Sequence, residues 1–243
     1  MAKQRLDQLL VIHKLVETRS QAENWLRLGR VKVDGRVVTK PGTFVSPEAK
    51  ITLDAPERYV SRAGLKLASV AGRFKVPFTD SIVLDVGSST GGFTDYALQN
   101  GAAKVFAVDV GTDQLHPSLR GNKKIELHEK TDIRDFTPSD VPTIVVMDVS
   151  FISSRQILPH IAQVVDDKTD ILVMVKPQFE ASRQQLTSGG IVKNDGVRRG
   201  ILKDFELWTK QYFVIVDKAD SEVKGAHGNL ERFYHLRKVK HQR

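Results

Sequence analysis

Short apolar runs alternate with amphipathic stretches along residues 60–243, and this alternation is typical of an α/β fold. Strands are predicted at the runs rich in valine and isoleucine, at 81–87, 104–110, 143–150, 170–177, 213–219 and 231–239. Helices are predicted where apolar residues recur every three or four positions, at 61–74, 92–100, 157–165 and 195–212. Because buried strands that alternate with helices form parallel sheets covered on both faces, we expect a doubly wound, mostly parallel sheet.

The first 50 residues have a different pattern, which predicts two short helices followed by a hairpin. Ser20, with Glu23 three positions later, is a candidate capping box for the second helix. The stretch VKVDGRVV alternates strictly around Asp34 and Gly35, which is the pattern of a two-residue hairpin turn. Such a unit is too small to hold an enzyme pocket comfortably.

The change in pattern predicts three parts of the chain. These are a small α+β domain at 1–57, a linker at 58–62 and a larger α/β domain at 63–243. Loops are also expected at 189–190 and 225–228, beside the carboxyl ends of the strands.

Composition narrows the class of protein. The chain has no cysteine, which excludes disulfides, thiolate metal sites and a cysteine nucleophile, and no metal site is expected. No apolar run approaches the roughly 18 residues of a membrane span. The charged N-terminus has no signal-peptide core, so we expect a cytoplasmic protein with no membrane partner.

The net charge is +8, and residues 1–50 carry +5 of it, with ten Lys or Arg against five Asp or Glu. A basic balance suits a polyanionic partner such as RNA or DNA, although a mildly basic enzyme explains the total equally well. A basic oligomerisation module is the alternative interpretation of the small domain. The candidate phosphate-binding residues are Arg5, Arg19, Arg27, Arg30 and Lys32.

A glycine-rich turn follows the first strong strand and opens a helix, in the stretch DVGSSTGGF. Its first position is Asp85 rather than glycine, which argues against a dinucleotide and suits a ligand with a cationic amino acid head. Asp109 ends the second strand, where an acid accepts hydrogen bonds from ribose hydroxyls. Asp132, in the stretch KTDIRD, is expected to flank the next strand of the sheet, where it could meet an adenine amino group. A ligand with these three parts is S-adenosylmethionine.

The remaining residues predicted to bind this cofactor lie in the same turn. They are Gly87, Ser88, Gly91, Gly92 and Phe93. The alternative interpretation is a purely structural strand–turn–helix corner with incidental acids.

Four motifs, DVGSSTGGFTD, MDVSFIS, VKPQFE and GNLERF, closely resemble the TlyA family in the same order. Its members carry the older name of haemolysins and are ribosomal RNA 2'-O-methyltransferases. The second domain resembles FtsJ-type RNA ribose methyltransferases. The stretches RLDQLL, TRSQAENWLRLGRVKVDG and VVTKPG resemble the RNA-binding module of ribosomal small-subunit protein four. The resemblance covers nearly the whole chain and implies ribosomal RNA or ribosomal subunits as partners.

The resemblance also implies a catalytic set of two lysines and two acids, Lys66, Asp148, Lys176 and Glu231. A ribose hydroxyl is a poor nucleophile until its proton is removed or its alkoxide is stabilised. A lysine accepts a proton only when part of it is neutral, a state that burial and a second nearby lysine both favour. The two acids would position the amines and oppose that effect.

Three alternative functions compete with this interpretation. The first is a non-catalytic RNA-binding protein on a methyltransferase fold. The second is a membrane-active haemolysin, which lacks support from any apolar span or strongly amphipathic basic helix. The third is a methyltransferase that acts on a base or a small molecule, although no Pro-Pro-aromatic run follows Asp148.

Overall fold

The structure is a computed structural model that describes residues 3–16, 18–53, 59–223 and 229–239. Its contacts divide the chain into two compact units, Met1–Arg58 and Tyr59–Arg243. The linker at 58–62 and the domain limits around it stay a prediction. The loop predicted at 225–228 lies outside the described residues.

The first unit is small and contains both helices and strands. Its elements are, in chain order, β1 (Gln4–Arg5), α1 (Leu6–Ile12), α2 (Arg19–Arg27), β2 (Val31–Val33), β3 (Arg36–Val37), β4 (Phe44–Val45) and β5 (Ile51–Leu53). The strands β3, β2 and β5 form an antiparallel sheet, and β1 pairs with β4. The helices bury their leucines and Trp25 in a common core.

The ends of these elements test two local predictions. The hairpin turn is confirmed, because Asp34 and Gly35 both have positive φ angles, +49° and +81°, as a type I′ turn requires. The predicted cap at Ser20 is wrong. Thr18 has the extended backbone of an N-cap, and its hydroxyl accepts a hydrogen bond from the Gln21 N–H at 3.2 Å, so α2 begins earlier than expected.

The second unit contains the predicted α/β pattern. Its strands are β6 (Ile82–Val86), β7 (Lys104–Val108), β8 (Ile125–His128), β9 (Ile144–Met147), β10 (Asp170–Val175), β11 (Phe213–Asp220) and β12 (Arg232–Lys238). Its helices are α3 (Arg62–Phe74), α4 (Gly92–Gln99), α5 (Leu158–Val164), α6 (Pro177–Glu180) and α7 (Asp195–Thr209). The sequence pattern did not indicate β8, whose four residues are all half-buried and include a glutamate and a histidine.

These seven strands form one sheet in the order β11-β12-β10-β9-β6-β7-β8. The five strands from β10 to β8 are parallel, and β12 and β11 continue the sheet in antiparallel pairing. Separate hydrophobic clusters cover the two faces, with α3 and α4 on one face and α5 and α7 on the other. The predicted doubly wound, mostly parallel sheet is therefore confirmed.

The same topology places the site. The chain runs from β6 outward to β7 and β8, and then returns to add β9 and β10 on the other side of β6. Ligands bind beyond the carboxyl ends of the strands where the order reverses in this way, which is between β6 and β9. No helix in the described part of the chain is long and apolar enough to cross a membrane.

Candidate active site

The turns that follow β6 and β9 approach each other closely at the carboxyl edge of the sheet. Gly87 begins the first of these turns, directly after β6, with a φ of +79°. A Cβ atom at Gly87 would lie 2.7 Å from the backbone oxygen of Asp148. Glycine is therefore required at this position by both its backbone conformation and its contact.

A cleft of about 380 Å³ opens at this edge, beyond the ends of β6, β7 and β9. Asp109, Asp132 and Asp148 line the cleft, together with apolar side chains such as Ile133. A second cavity of about 130 Å³ shares Gly87 and Asp148 with the cleft. The predicted site residues that follow β6, β7 and β9 therefore line two adjoining cavities at this edge of the sheet.

Asp85 lies at the base of the smaller cavity and is fully buried. Its Oδ2 accepts a hydrogen bond from the hydroxyl of Thr94 at 2.6 Å, and its Oδ1 has no hydrogen-bond partner among the residues that the structure describes. Burial raises the pKa of the Asp85 carboxyl to about 7, and the hydrogen bond from Thr94 opposes this effect. An unpartnered carboxylate oxygen in a cavity is suited to a cationic ligand group.

Ser88 adds a second unpartnered group to the same cavity. Its side chain is buried, and no described residue makes a hydrogen bond to its Oγ. Buried polar atoms are nearly always satisfied in folded proteins, so two such atoms in one cavity indicate a polar ligand.

Asp109 and Asp132 are both held in place by hydrogen bonds. The carboxylate of Asp109 accepts from the backbone N–H groups of Ser89 and Gly111, at 2.8 and 2.7 Å. Asp132 accepts from Arg134 at 2.6 Å, which holds the pKa of the Asp132 carboxyl at about 2. Asp109 is thus fixed between the two turns at the sheet edge, whereas Asp132 is an ionised carboxylate with a guanidinium already beside it.

The other residues of the glycine-rich turn have packing roles. A Cβ at Gly91 would meet the side chains of Leu119 and Leu115 at 2.5 and 2.7 Å, and one at Gly92 would meet the hydroxyl of Ser61 at 2.2 Å. Phe93 borders the smaller cavity but is buried. The two glycines let α4 begin against its neighbours, and their predicted contact with the cofactor stays a prediction.

The predicted catalytic residues form two ion pairs. The Nζ of Lys176 lies 2.5 Å from Oδ1 of Asp148 and donates a hydrogen bond to the hydroxyl of Ser150 at 2.7 Å. The Nζ of Lys66 lies 2.5 Å from Oε2 of Glu231, and both of these residues are buried. Each lysine is therefore held by one carboxylate.

Strand register brings the two pairs to the same edge of the sheet. Val175 is opposite Arg232 in the antiparallel pairing of β10 with β12, so the residues beyond them, Lys176 and Glu231, occupy neighbouring strand ends. Asp148 follows β9, which lies on the other side of β10. Lys66 reaches this edge from α3.

Phe151 was not singled out from the sequence. Its side chain is 92% exposed although it borders the cleft, and its φ is +64°. A positive φ is rare for a bulky residue and is retained where the surroundings favour it. The centroid of the Phe151 ring lies 5.3 Å from that of Phe179, which comes three residues after Lys176 in the chain. An aromatic pair with one exposed ring, Phe151, and one half-buried ring, Phe179, therefore lies beside the candidate catalytic lysine.

The basic residues of the first unit differ in their contacts. Asp7 is fully buried and accepts hydrogen bonds from both Arg5 and Arg19. Arg27 lies 3.4 Å from Glu23 along α2. Arg30 is exposed and Lys32 is half-buried on β2. The structure thus places two of the five predicted phosphate-binding residues in a network around one aspartate.

Comparison with known proteins identifies both units. The profile of the FtsJ-like methyltransferases matches residues 59–238, and that of the S4 domain matches residues 4–51. The chain belongs to the FtsJ-like methyltransferases. This methyltransferase is 40% identical over 240 residues to a Bacillus subtilis protein named as a candidate rRNA methyltransferase. The aligned residues cover 96% of this chain and 85% of the relative.

Two further similarities extend over both units of the methyltransferase. A Mycobacterium tuberculosis protein named 16S/23S rRNA (cytidine-2'-O)-methyltransferase TlyA is 36% identical, over 96% of this chain and 89% of the relative. A solved structure named as a candidate hemolysin from Streptococcus thermophilus is 38% identical, with a TM-score of 0.75 over 99% of this chain and 90% of the other. The resemblance to the TlyA family is confirmed.

S-adenosylmethionine is the cofactor of FtsJ-like methyltransferases, and the cleft and the smaller cavity beside it have groups that fit it. The free oxygen of Asp85 and the hydroxyl of Ser88 suit its ammonium and carboxylate. Asp109 suits its ribose hydroxyls, and apolar residues such as Ile133 border the space for an aromatic base. The residues present therefore fit the cofactor that the family uses.

Proposed function

We propose that this methyltransferase transfers a methyl group from S-adenosylmethionine to a ribose 2'-hydroxyl of ribosomal RNA. The observation that carries the proposal is the pair of lysine–carboxylate contacts, Lys176 with Asp148 and Lys66 with Glu231, at the edge where the cleft opens. Relatives that match both units are named as enzymes of this activity. A ribosomal RNA substrate favours a cytoplasmic location.

The cofactor would be held by residues from three strand ends. Asp85 and Ser88 would bind its amino acid head, Asp109 its ribose, and Gly87 would let the backbone approach it. When bound, S-adenosylmethionine supplies an electrophilic methyl carbon on a sulfonium. Asp132 would meet the adenine side, where its carboxylate also holds Arg134.

The chain's own residues would supply the acid–base chemistry. Lys176 directly follows a buried strand and borders the smaller cavity, so we assign it, in its neutral form, as the acceptor of the proton from the attacking hydroxyl. Lys66 would supply a second positive charge that stabilises the developing alkoxide. Asp148 and Glu231 would orient the two amines through the observed ion pairs. The rest of the acceleration would come from alignment of the hydroxyl with the methyl carbon, which contributes up to about 7–11 kcal/mol in favourable cases.

Two surfaces support RNA as the substrate. The exposed ring of Phe151 offers a face on which an unpaired base stacks, as is usual in the recognition of single-stranded RNA. Residues 1–50, which include nearly all of the S4 match, carry five of the eight net positive charges of the chain, which favours phosphate contacts. Its basic residues would bind RNA more by shape than by sequence.

Mass mapping of ribosomal RNA incubated with the purified protein and S-adenosylmethionine tests the proposal. We expect one extra methyl group on a ribose, and loss of that product when Lys176 is replaced by Ala. Methylation of a base, or binding of RNA without any transfer, would contradict the proposal. Lysis of red cells by the same preparation without RNA methylation would favour the haemolysin alternative.

A further inference from the structure

Glu180 is a buried carboxylate in the VKPQFE motif that the proposed chemistry does not use. It is the last residue of α6, and its side chain is only 1% exposed. Its Oε1 accepts a hydrogen bond from the backbone N–H of Ser154 at 2.7 Å, and its Oε2 accepts one from the hydroxyl of Ser153 at 2.5 Å. A buried carboxylate is costly unless several donors surround it, so these contacts hold it firmly.

These hydrogen bonds connect the two segments that carry one of the proposed catalytic pairs. The segment after β9 begins with Asp148 and reaches Ser153 five residues later. The segment after β10 begins with Lys176 and reaches Glu180 four residues later. The Asp148–Lys176 ion pair joins the two segments at the sheet edge, and Glu180 joins them again at their far ends. The two segments are therefore connected at both ends, and together they form a closed ring that includes the catalytic pair.

Arg155 fastens this ring to the rest of the fold. Its Nε lies 3.6 Å from Oε2 of Glu180, which is an ion-pair distance rather than a hydrogen bond. Its guanidinium also lies over the ring of Trp208 in α7, 5.9 Å from the centroid. The far end of the ring is thus anchored on a long helix, whereas its near end is anchored on the sheet.

We infer that Glu180 is a positioning residue that sets the spacing of Asp148 and Lys176 for methyl transfer. The inference rests on the proposed function, because it assigns Glu180 a role in the geometry of that reaction. Without its carboxylate, the segment after β9 loses two hydrogen bonds to the segment after β10, and the contacts that remain near Lys176 are the ion pair with Asp148 and the hydrogen bond to Ser150. A misplacement of about 1 Å in such a group lowers a rate by up to roughly 100-fold.

Steady-state methyl transfer to ribosomal RNA by the Glu180→Ala and Glu180→Gln proteins tests the inference. Glu180→Ala should lower kcat by about 10- to 100-fold, with the KM for RNA and the Kd for S-adenosylmethionine within about threefold of wild type. Glu180→Gln retains an oxygen for the Ser154 N–H and an amide that faces Ser153, so its kcat should lie within about fivefold of wild type.

Asp170 offers a matched control at the opposite end of β10. Its partly buried carboxylate accepts a hydrogen bond from Arg237 and lies 2.7 Å from Nε2 of His235. Asp170→Asn should lower thermal stability without a change in kcat. Equal losses of kcat in Glu180→Ala and Asp170→Asn, or a Glu180→Ala protein as fast as wild type, would overturn the positioning role. If wild type itself transfers no methyl group, the proposed function fails instead.

Discussion

The Nζ of Lys66 and Oε2 of Glu231 lie 2.5 Å apart, although 165 residues separate them in the chain. The contact joins α3, which precedes the sheet, to the start of its antiparallel strand β12. Both side chains are at most 10% exposed. The pair therefore connects the first helix and the last strand of the second unit at the edge where the cleft opens.

Removal of one member of this pair should destabilise the fold. Glu231→Ala would leave the ammonium of Lys66 buried without its partner, which costs about 3–5 kcal/mol of unfolding free energy. Replacement of both residues, by Lys66→Met and Glu231→Leu together, should cost much less, because no buried charge remains. Urea unfolding measures both effects. Methyl transfer should be lost in both proteins, and an active double variant would exclude Lys66 and Glu231 from the chemistry.

Lys176→Ala should separate cofactor binding from catalysis. The affinity for S-adenosylmethionine should stay near that of wild type, while single-turnover methyl transfer falls by at least about 100-fold, because the proton acceptor is lost. Lys176→Arg should not restore the rate, since a guanidinium does not give up its proton. Calorimetry and product mapping provide the two measurements. A fast Lys176→Arg protein would show that charge alone suffices.

Cofactor affinity should depend on the ionisation of Asp85. Burial raises the pKa of this carboxyl to about 7, and the ionised form attracts the cofactor's ammonium. Affinity measured by calorimetry should therefore rise by up to about tenfold per pH unit below pH 7 and level off above it. Asp85→Asn should bind more weakly and with no such dependence. A wild-type affinity that is constant from about pH 5.5 to about pH 8.5 would contradict the assignment.

The same carboxyl should make the cofactor-free protein less stable as the pH rises. Its pKa is about 7 in the folded protein and near its ordinary value of 3.8 in the unfolded chain, so the folded state binds the extra proton between these values. The stabilisation is complete below about pH 4 and is lost as the pH rises through 7. Asp85→Asn should lack this contribution, so its stability relative to wild type should increase over that range.

Phe151 should strengthen RNA binding but lower the stability of the folded protein. Phe151→Ala should weaken binding of unpaired RNA by about 1–3 kcal/mol, the usual effect of one lost stacking contact, and leave cofactor affinity unchanged. Phe151→Gly should weaken RNA binding similarly but unfold at a higher temperature than Phe151→Ala. The reason is that glycine adopts a φ of +64° without the cost of about 1–2 kcal/mol that a side chain incurs. Equal RNA affinity in all three proteins would exclude a stacking role.

The basic residues of the S4 unit should divide into two groups. Arg30→Ala and Lys32→Ala should each reduce the slope of log affinity against log salt by about 0.7 to 0.9, the effect of one lost phosphate contact. Arg5→Ala should instead lower thermal stability, because Arg5 holds the buried Asp7 with two hydrogen bonds. Salt titrations and melting curves distinguish the two effects. An unchanged salt slope in the Arg30 and Lys32 variants would remove them from the RNA interface.

Local sequence patterns predicted most helices and strands correctly. They failed for short segments, where the same residues fit more than one interpretation. The valine-rich runs at β6, β7, β9 and β10 could be identified because buried parallel strands need little more than apolar β-branched residues. The strand β8 could not, because a half-buried edge strand carries polar residues that resemble a loop. The start of α2 was misplaced because Thr18 and Ser20 are both good capping residues, and only backbone geometry distinguishes them.

The sequence by itself determined the fold class and the family, and it predicted the residue types of the candidate site, since all of these depend on motifs and periodicity within short stretches. Tertiary structure decided which lysine pairs with which acid, and it revealed Phe151 as an exposed ring and Glu180 as a buried connection. Those relationships arise from strand order and register, which join residues far apart in the chain. No local pattern encodes them, because the burial and hydrogen bonds of each side chain depend on neighbours from other elements.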